Sequence, residues 1–286
     1  MAADILSLVQ EKFHSFSKGQ KRIAGYILQS YDKAAFMTAS KLGKTVGVSE
    51  STVVRFAMEL GYNGYPSMQK TLQALVRNKL TSVQRIEASN SRIGGQDVLG
   101  SVLQADIDAL RMTGEALDRA EMEACVDAIM HARRVYIVGV RSSAAIASFL
   151  NFYFRNIFDN VHLIEPSATS EMFEQLLHIS KEDVLIGISL PRYSTSTIKL
   201  LQYAKECGAT TISITDKPDA PAGKASGHVL VAKSDMVSFV DSLVAPMSVV
   251  NALIVMVGRK QEQQLSGKFR DLEKIWEEYD VYEHVE

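Results

Sequence analysis

The 286-residue sequence predicts two folds in tandem: an all-α amino-terminal domain, then an α/β domain whose strands form one parallel sheet. Three observations predict this. Helical periodicity dominates residues 4–80. Short apolar, β-branched runs then recur between helical stretches. Between the two regions, residues 81–97 (TSVQRIEASNSRIGGQD) lose apolar periodicity and gather Ser, Asn and Gly-Gly. The expected organisation is a domain at 1–80, a linker at 81–97 and a second domain at 98–286.

In the first domain, Ile5, Leu8 and Val9 form one amphipathic set that Phe13 and Phe16 extend. Ser17 with Gln20 reads as a capping box opening a helix that carries Ile23, Ile27 and Leu28. The most informative stretch is Thr38–Tyr62, TASKLGKTVGVSESTVVRFAMELGY. Leu42, Val46, Val48, Val53 and Phe56 are spaced so that two short crossed helices share a small core. Gly47 falls where the chain must turn sharply, and glycine adopts that conformation at least cost. Ser49 offers an N-cap for the second helix, whose exposed face carries Ser51, Thr52 and Arg55. A helix pair presenting short polar groups and an arginine is how a helix-turn-helix reads the major groove. Tyr65-Pro66-Ser67 then breaks the chain and starts a helix through about Lys79.

The second domain opens with helices at roughly 98–116 and 119–131. Apolar runs follow at 134–139 (RVYIVG), 161–164, 184–189, 211–215 and 228–231. Such runs alternating with helices predict strands buried on both faces, hence a parallel sheet in an α/β/α sandwich. An apolar helix at about 238–260 and a charged, aromatic tail at Lys268–Tyr282 close the chain.

Charge separates the halves. Residues 1–80 hold 11 Lys+Arg against 5 Asp+Glu, and the remainder holds 20 against 28, so the halves carry +6 and −8. A basic head on an acidic body fits phosphate contact by one end; the alternative is two solvated surfaces that differ by chance. Cys125 and Cys207 match no metal spacing and read as buried free thiols, and no pair of histidines has ligand spacing. No cofactor is expected. The amino-terminus lacks a secretory pattern, and the uncharged run Ser242–Gly258 is short and interrupted by Pro246, so the expectation is a cytoplasmic chain without a membrane span.

Ligands of a doubly wound sheet bind where loops leave the carboxyl ends of the strands. Two such loops are rich in hydroxyls. The first is Gly139-Val140-Arg141-Ser142-Ser143, where Gly139 lets backbone approach a ligand and the two serines cap the next helix. The second is Ser189–Thr197, with Arg192, Ser194, Thr195 and Ser196 at another helix start. For the first loop, capping alone and ligand binding are both open; the hydroxyl density of the second exceeds what one helix start requires. Together they suit a phosphorylated polyol. The absent GxGxxG and GxxxxGK[ST] patterns argue against dinucleotides and P-loop nucleotides.

The whole chain resembles the RpiR family of bacterial transcriptional regulators. The resemblance rests on VGVSESTVVRFAMELGYNGYPSMQ (46–69), VYIVGVRSSA (135–144) and ISLPRYSTSTIKLLQYAKECGATTISITD (188–216). It implies an amino-terminal helix-turn-helix, a flavodoxin-like SIS (sugar isomerase) domain sensing phosphosugars, and a dimer or tetramer on palindromic operator DNA. By that likeness Ser142, Ser143, Ser189, Ser194, Thr195 and Ser196 fall on the phosphosugar pocket. Many SIS domains carry Ser-Gly-x-Thr in the second loop, whereas Pro191-Arg192-Tyr193 precede Ser194 here. Arg192 is open to two roles, contact with a second anionic group or with a neighbouring subunit.

The combined expectation is a phosphosugar-controlled regulator. Lys41, Lys44 and Lys70 hold the DNA backbone, and Ser49, Ser51, Thr52 and Arg55 position and read the groove. Arg55 has an alternative partner in Glu59 at i+4. The apolar helix 238–258 either buries against a second subunit or covers its own sheet. Two other classes compete. An isomerase would use Glu165, after strand VHLI, as acid/base, against a plain solvated carboxylate at a helix start. A protein-binding adaptor would expose aromatic anchors, for which Tyr62 and Tyr65 are the candidates, but packing against the turn or phosphate contact is the favoured role of both.

Overall fold

The structure, a computed structural model, describes residues 5–79, 86, 97–234 and 240–282. Apart from Ile86 and Asp97, the expected linker 81–97 lies outside the described residues. Among the described residues the chain divides into two compact units, one ending at Ser101 and the other beginning at Val102, with Val240 grouped with the first.

The first unit contains α1 (Ile5–Glu11), a 3-10 turn (Phe13–Ser15), α2 (Lys18–Ala34), α3 (Ala39–Val46), α4 (Glu50–Glu59) and α5 (Tyr65–Lys79). The Ser17–Gln20 capping box forms: Gln20 N donates to Ser17 Oγ at 3.4 Å and Ser17 N donates to Gln20 Oε1 at 2.9 Å. Ile5, Val9, Phe16, Ile23, Ile27, Leu42, Val53, Phe56, Met68 and Leu72 make one core, with the Phe16 and Phe56 rings 5.0 Å apart. Tyr65 belongs to this core as well. Its hydroxyl donates to the carbonyls of Met37 (2.6 Å) and Ala34 (3.3 Å), and burial pushes its pKa up to about 12. Tyr65 therefore anchors α5 to the α2–α3 connection and is no partner-binding aromatic.

The boundary falls within the first turn of α6 (Val98–Ala116), and the second domain continues with α7 (Arg119–His131), β1 (Val135–Gly139), α8 (Ser143–Ile157), β2 (Val161–Leu163), α9 (Thr169–Glu174), β3 (Val184–Ile188), α10 (Thr195–Glu206), β4 (Thr210–Thr215), α11 (Pro221–Ala225), β5 (His228–Val231), α12 (Val244–Lys260) and α13 (Glu262–Glu278). All strand pairs are parallel, in the order β2-β1-β3-β4-β5. Alternate residues of β1 and β3 supply two cores. Val135, Ile137, Ile186, Ile188, Ile212 and Ile214 pack with residues of α7, α8 and α12. Tyr136, Val138 and Leu185 pack on the other face with Met172 of α9, Leu200 and Leu201 of α10 and Ala222 of α11. Three layers result.

Three features differ from the sequence expectation. The strand at 161–164 is not buried on both faces: it is the sheet edge, and His162 is exposed and stacked on Tyr136. The apolar helix starts at Val244, and residues 235–239 lie outside the described residues. Its buried face, Ala245 through Val257, covers its own sheet. Cys125 is fully buried as expected, but Cys207 is only half-buried.

The amino-terminal edge of the sheet is tied by Arg133 and Asp183. Arg133 Nε and Nη2 donate to Asp183 Oδ1 (3.0 Å) and Oδ2 (2.7 Å), and Ser180 N donates to Oδ2 at 2.8 Å. Burial alone would raise the Asp183 carboxyl. The guanidinium and Ser180 bonds outweigh it and hold the group below the usual carboxylate range.

Candidate functional site

The α3–α4 turn closes as a Schellman motif. Gly47 adopts a left-handed conformation (φ 70°, ψ 43°). Val48 N donates to Gly43 O at 2.8 Å and Gly47 N to Lys44 O at 3.4 Å, satisfying carbonyls that the end of α3 leaves orphaned. Gly43 matters as much as Gly47. A Cβ there would sit 2.8 Å from the Val48 carbonyl oxygen, so glycine is what lets the two helices approach this closely. Sequence reasoning missed it; the available signal was a glycine inside a short helix.

Ser49 caps α4 as expected: Thr52 N donates to its Oγ at 3.3 Å, and the same Oγ shares hydrogen bonds with Ser51 Oγ (2.9 Å) and Thr52 Oγ1 (2.8 Å). Its hydroxyl is thus engaged within the helix start. Ser51 and Arg55 are exposed on α4, Thr52 is half-buried, and Lys41, Lys44 and Lys70 are exposed on α3 and α5. The Glu59 alternative for Arg55 does not form. Gln20 Nε2 donates to the Glu59 carboxylate, Lys12 Nζ donates to the Glu59 carbonyl at 2.9 Å, and among the described residues Arg55 makes no ion pair.

In the second domain the chain leaves β1 outward to β2 and returns on the other side of β1 to β3. The loops after β1 and β3 therefore flank the topological switch point of a flavodoxin-like order. Arg141 (φ 59°) and Arg192 (φ 64°), one in each loop, both hold left-handed backbone, a conformation costing a non-glycine residue roughly 1–3 kcal/mol. Both are exposed.

The first loop differs from expectation in two ways. Ser142 precedes α8 in helical rather than extended backbone (φ −60°, ψ −32°), and neither it nor Ser143 caps the helix through its side chain. Ala144 N and Ala145 N donate instead to the carbonyls of Arg141 (3.0 Å) and Ser142 (3.3 Å). Gly139 also meets a packing demand: a Cβ there would lie 2.4 Å from the Ser143 carbonyl oxygen, so it lets α8 pack onto β1. Ser142 is exposed and Ser143 is buried.

The second loop is built more tightly. Ser194 N donates to the buried Ser189 Oγ at 3.2 Å, and Ser194 Oγ accepts from Thr197 N at 3.3 Å as the cap of α10. Ser196 Oγ lies 3.1 Å from Thr169 Oγ1 at the start of α9, and Thr195 is exposed. Tyr193 OH donates to Asp216 Oδ1 at 2.7 Å, fixing the loop to the end of β4. Thr197 Oγ1 is buried with no hydrogen-bond partner among the described residues. The first amides of α10, at Thr195 and Ser196, have no intrahelical acceptor and point where an anion is favoured. Glu165, just past β2, is exposed; its backbone amide donates to Gln175 Oε1 at 3.0 Å.

One group the sequence spacing did not suggest lies away from these loops. Glu121 and Cys125 on α7 and His228 at the start of β5 bring their ligand atoms within 4.8 Å of one another. Glu121 and His228 are 107 residues apart in the chain, so only the packing of α7 on β5 reveals the group.

A helix-turn-helix followed by a doubly wound α/β domain is the architecture of a regulator with an attached sensor domain. Residues 3–79 match the helix-turn-helix domain of the rpiR family, and residues 128–256 match the SIS domain. The chain belongs to the RpiR-type regulators. An uncharacterized HTH-type transcriptional regulator of Clostridium perfringens is 28% identical over 227 residues, covering 79% of this chain and 80% of the relative. The HTH-type transcriptional regulator HexR of Escherichia coli is 25% identical over 213 residues, covering 74% and 72%. The sugar isomerase domain of an RpiR transcription factor from Sphaerobacter thermophilus is 29% identical with a TM-score of 0.59, over 63% of this chain and 99% of that one. The NanR protein of Vibrio vulnificus, complexed with ManNAc-6P, shares the fold over 98% of this chain and 100% of its own (TM-score 0.59, 19% identity). Among the described residues no helix is long and apolar enough to cross a membrane.

Proposed function

We propose that this regulator binds a palindromic operator through α3 and α4 as a homodimer or homotetramer, and that a phosphorylated sugar at the β1 and β3 loops controls that binding. The observation that carries the proposal is the Ser189–Thr197 loop. It combines a capped helix start, two unclaimed amides and a cluster of hydroxyls at a switch point. In this reading the phosphate takes the α10 amides with Ser194, Thr195 and Ser196. Ser142, Ser143, Ser189, Arg141 and Arg192 receive the rest of the ligand. The NanR complex with a sugar phosphate, on the same fold, supports the ligand class.

On DNA, Lys41, Lys44 and Lys70 hold phosphates, while Ser51, Thr52 and Arg55 face the groove and Ser49 holds the helix start in register. One recognition helix reads too few bases for useful specificity, so two act about one helical turn apart. Arg55, exposed and without an ion pair among the described residues, supports this role. We further propose that the domain senses its ligand without transforming it, in the cytoplasm and without a cofactor.

Selection of duplexes from a random library by the full-length protein tests the proposal. It expects enrichment of an inverted repeat, and loss of its gel shift in Arg55→Ala. An Arg55→Ala midpoint equal to the parent at the same salt refutes the assigned face.

A further inference from the structure

Glu121, Cys125 and His228 share no element with the switch-point loops. They meet where α7 crosses the amino end of β5, at the sheet edge opposite those loops. We propose that these three residues form a binding site for a thiophilic divalent ion of the zinc class.

The geometry supports this in several ways. Glu121 and Cys125 are four residues apart, so one face of α7 presents both. Zinc bonds of about 2.0–2.3 Å place tetrahedral ligand atoms roughly 3.3–3.7 Å apart. His228 Nδ1 and Glu121 Oε1 already stand at 3.2 Å. All three ligand atoms lie within 4.8 Å, so side-chain adjustment of about 1 Å closes the set. Cys125 is fully buried, whereas Glu121 and His228 are half-buried and leave an approach from solvent. Val229 N donates to Glu121 Oε1 at 2.9 Å and so orients the carboxylate, as outer-shell bonds do at metal sites.

Charge is balanced as well: the Glu121 carboxylate and a Cys125 thiolate together neutralise a divalent cation. The competing account is a core cysteine beside an ordinary Glu–His hydrogen bond. The two differ in whether the sulfur ever touches metal.

Cobalt is the probe, because a thiolate bound to Co2+ absorbs in the near ultraviolet and an imidazole or carboxylate does not. Full-length, chelator-stripped protein is titrated with Co2+ and then displaced with Zn2+. The expected result is one Co2+ per chain with the charge-transfer band, retained in Cys207→Ser and lost in Cys125→Ser. His228→Gln, at a half-buried position, is expected to bind at least roughly a hundredfold more weakly, since outer-shell partners alone are worth ten- to hundredfold. Absence of the band in the parent, or its persistence in Cys125→Ser, overturns the proposal. Should Cys125→Ser fail to fold, His228→Gln decides: parent-like Co2+ affinity overturns the site.

Discussion

Ser194→Ala separates two roles that one hydroxyl is expected to play. Among the described residues Ser194 Oγ accepts only from Thr197 N, as the cap of α10. Losing an N-cap of this kind costs about 1 kcal/mol. For a domain of this size that lowers the melting temperature by about 2–4 °C. A sugar phosphate at a hundred times its Kd stabilises the parent by about 2.7 kcal/mol, which at the same conversion is a rise of roughly 5–10 °C. The assay is thermal unfolding of parent and variant against a panel of hexose, pentose and amino-sugar phosphates. The expected pattern is a small fall without ligand and near-complete loss of the ligand-induced rise. A variant that falls by 2–4 °C yet rises with ligand as the parent does would show that Ser194 is a cap and nothing more. A panel in which no phosphosugar shifts the parent removes the ligand class itself.

Lys41→Ala and Lys70→Ala are each expected to reduce the slope of log affinity against log salt by about one, with little change in sequence preference; altered base preference in a salt series would contradict a backbone role. Gly25 lies inside α2 with open space around its Cα, so Gly25→Ala is expected to stabilise the helical domain by about 0.8–1 kcal/mol. Gly43→Ala instead meets backbone and is expected to destabilise by about 1–3 kcal/mol and weaken DNA binding, both measurable by denaturant titration and gel shift. Asp183→Asn is expected to cost about 2 kcal/mol near neutral pH. Because the Asp183 carboxyl is depressed in the fold, that contribution is present above the unfolded value of about 3.9 and is lost as pH falls through the folded value. The parent–variant gap in urea midpoint should therefore close in acid, and a gap that widens would contradict the sign. Glu165→Gln tests catalysis: ketose–aldose turnover by the parent that vanishes in the variant would establish an enzyme.

The helices of the DNA-binding unit and the parallel sheet were legible because each rests on a periodic pattern close in sequence. Gly47, Ser49 and the Ser17–Gln20 box act within one turn of themselves, where local chemistry decides the outcome. The first sensor loop was less legible. Ser142 looks like a cap, yet the left-handed Arg141 before it lets backbone carbonyls satisfy the α8 amides. Gly139 and Gly43 answer to helix approach, a tertiary demand that no single segment displays. The Glu121–Cys125–His228 group is long-range in the same sense, and spacing rules written for contiguous motifs pass over it. The second loop was legible as a hydroxyl cluster, but its ties to Thr169 and Asp216 depend on the sheet that brings those residues near.

The central claim is energetic coupling between the two modules of one chain, and it is measured by titrating a selected operator duplex with full-length protein at fixed salt, with and without a saturating phosphosugar that raises its melting temperature. The account predicts a change in operator affinity of roughly 5- to 150-fold, the range of ordinary allosteric coupling. Equal affinity in the two titrations would contradict it.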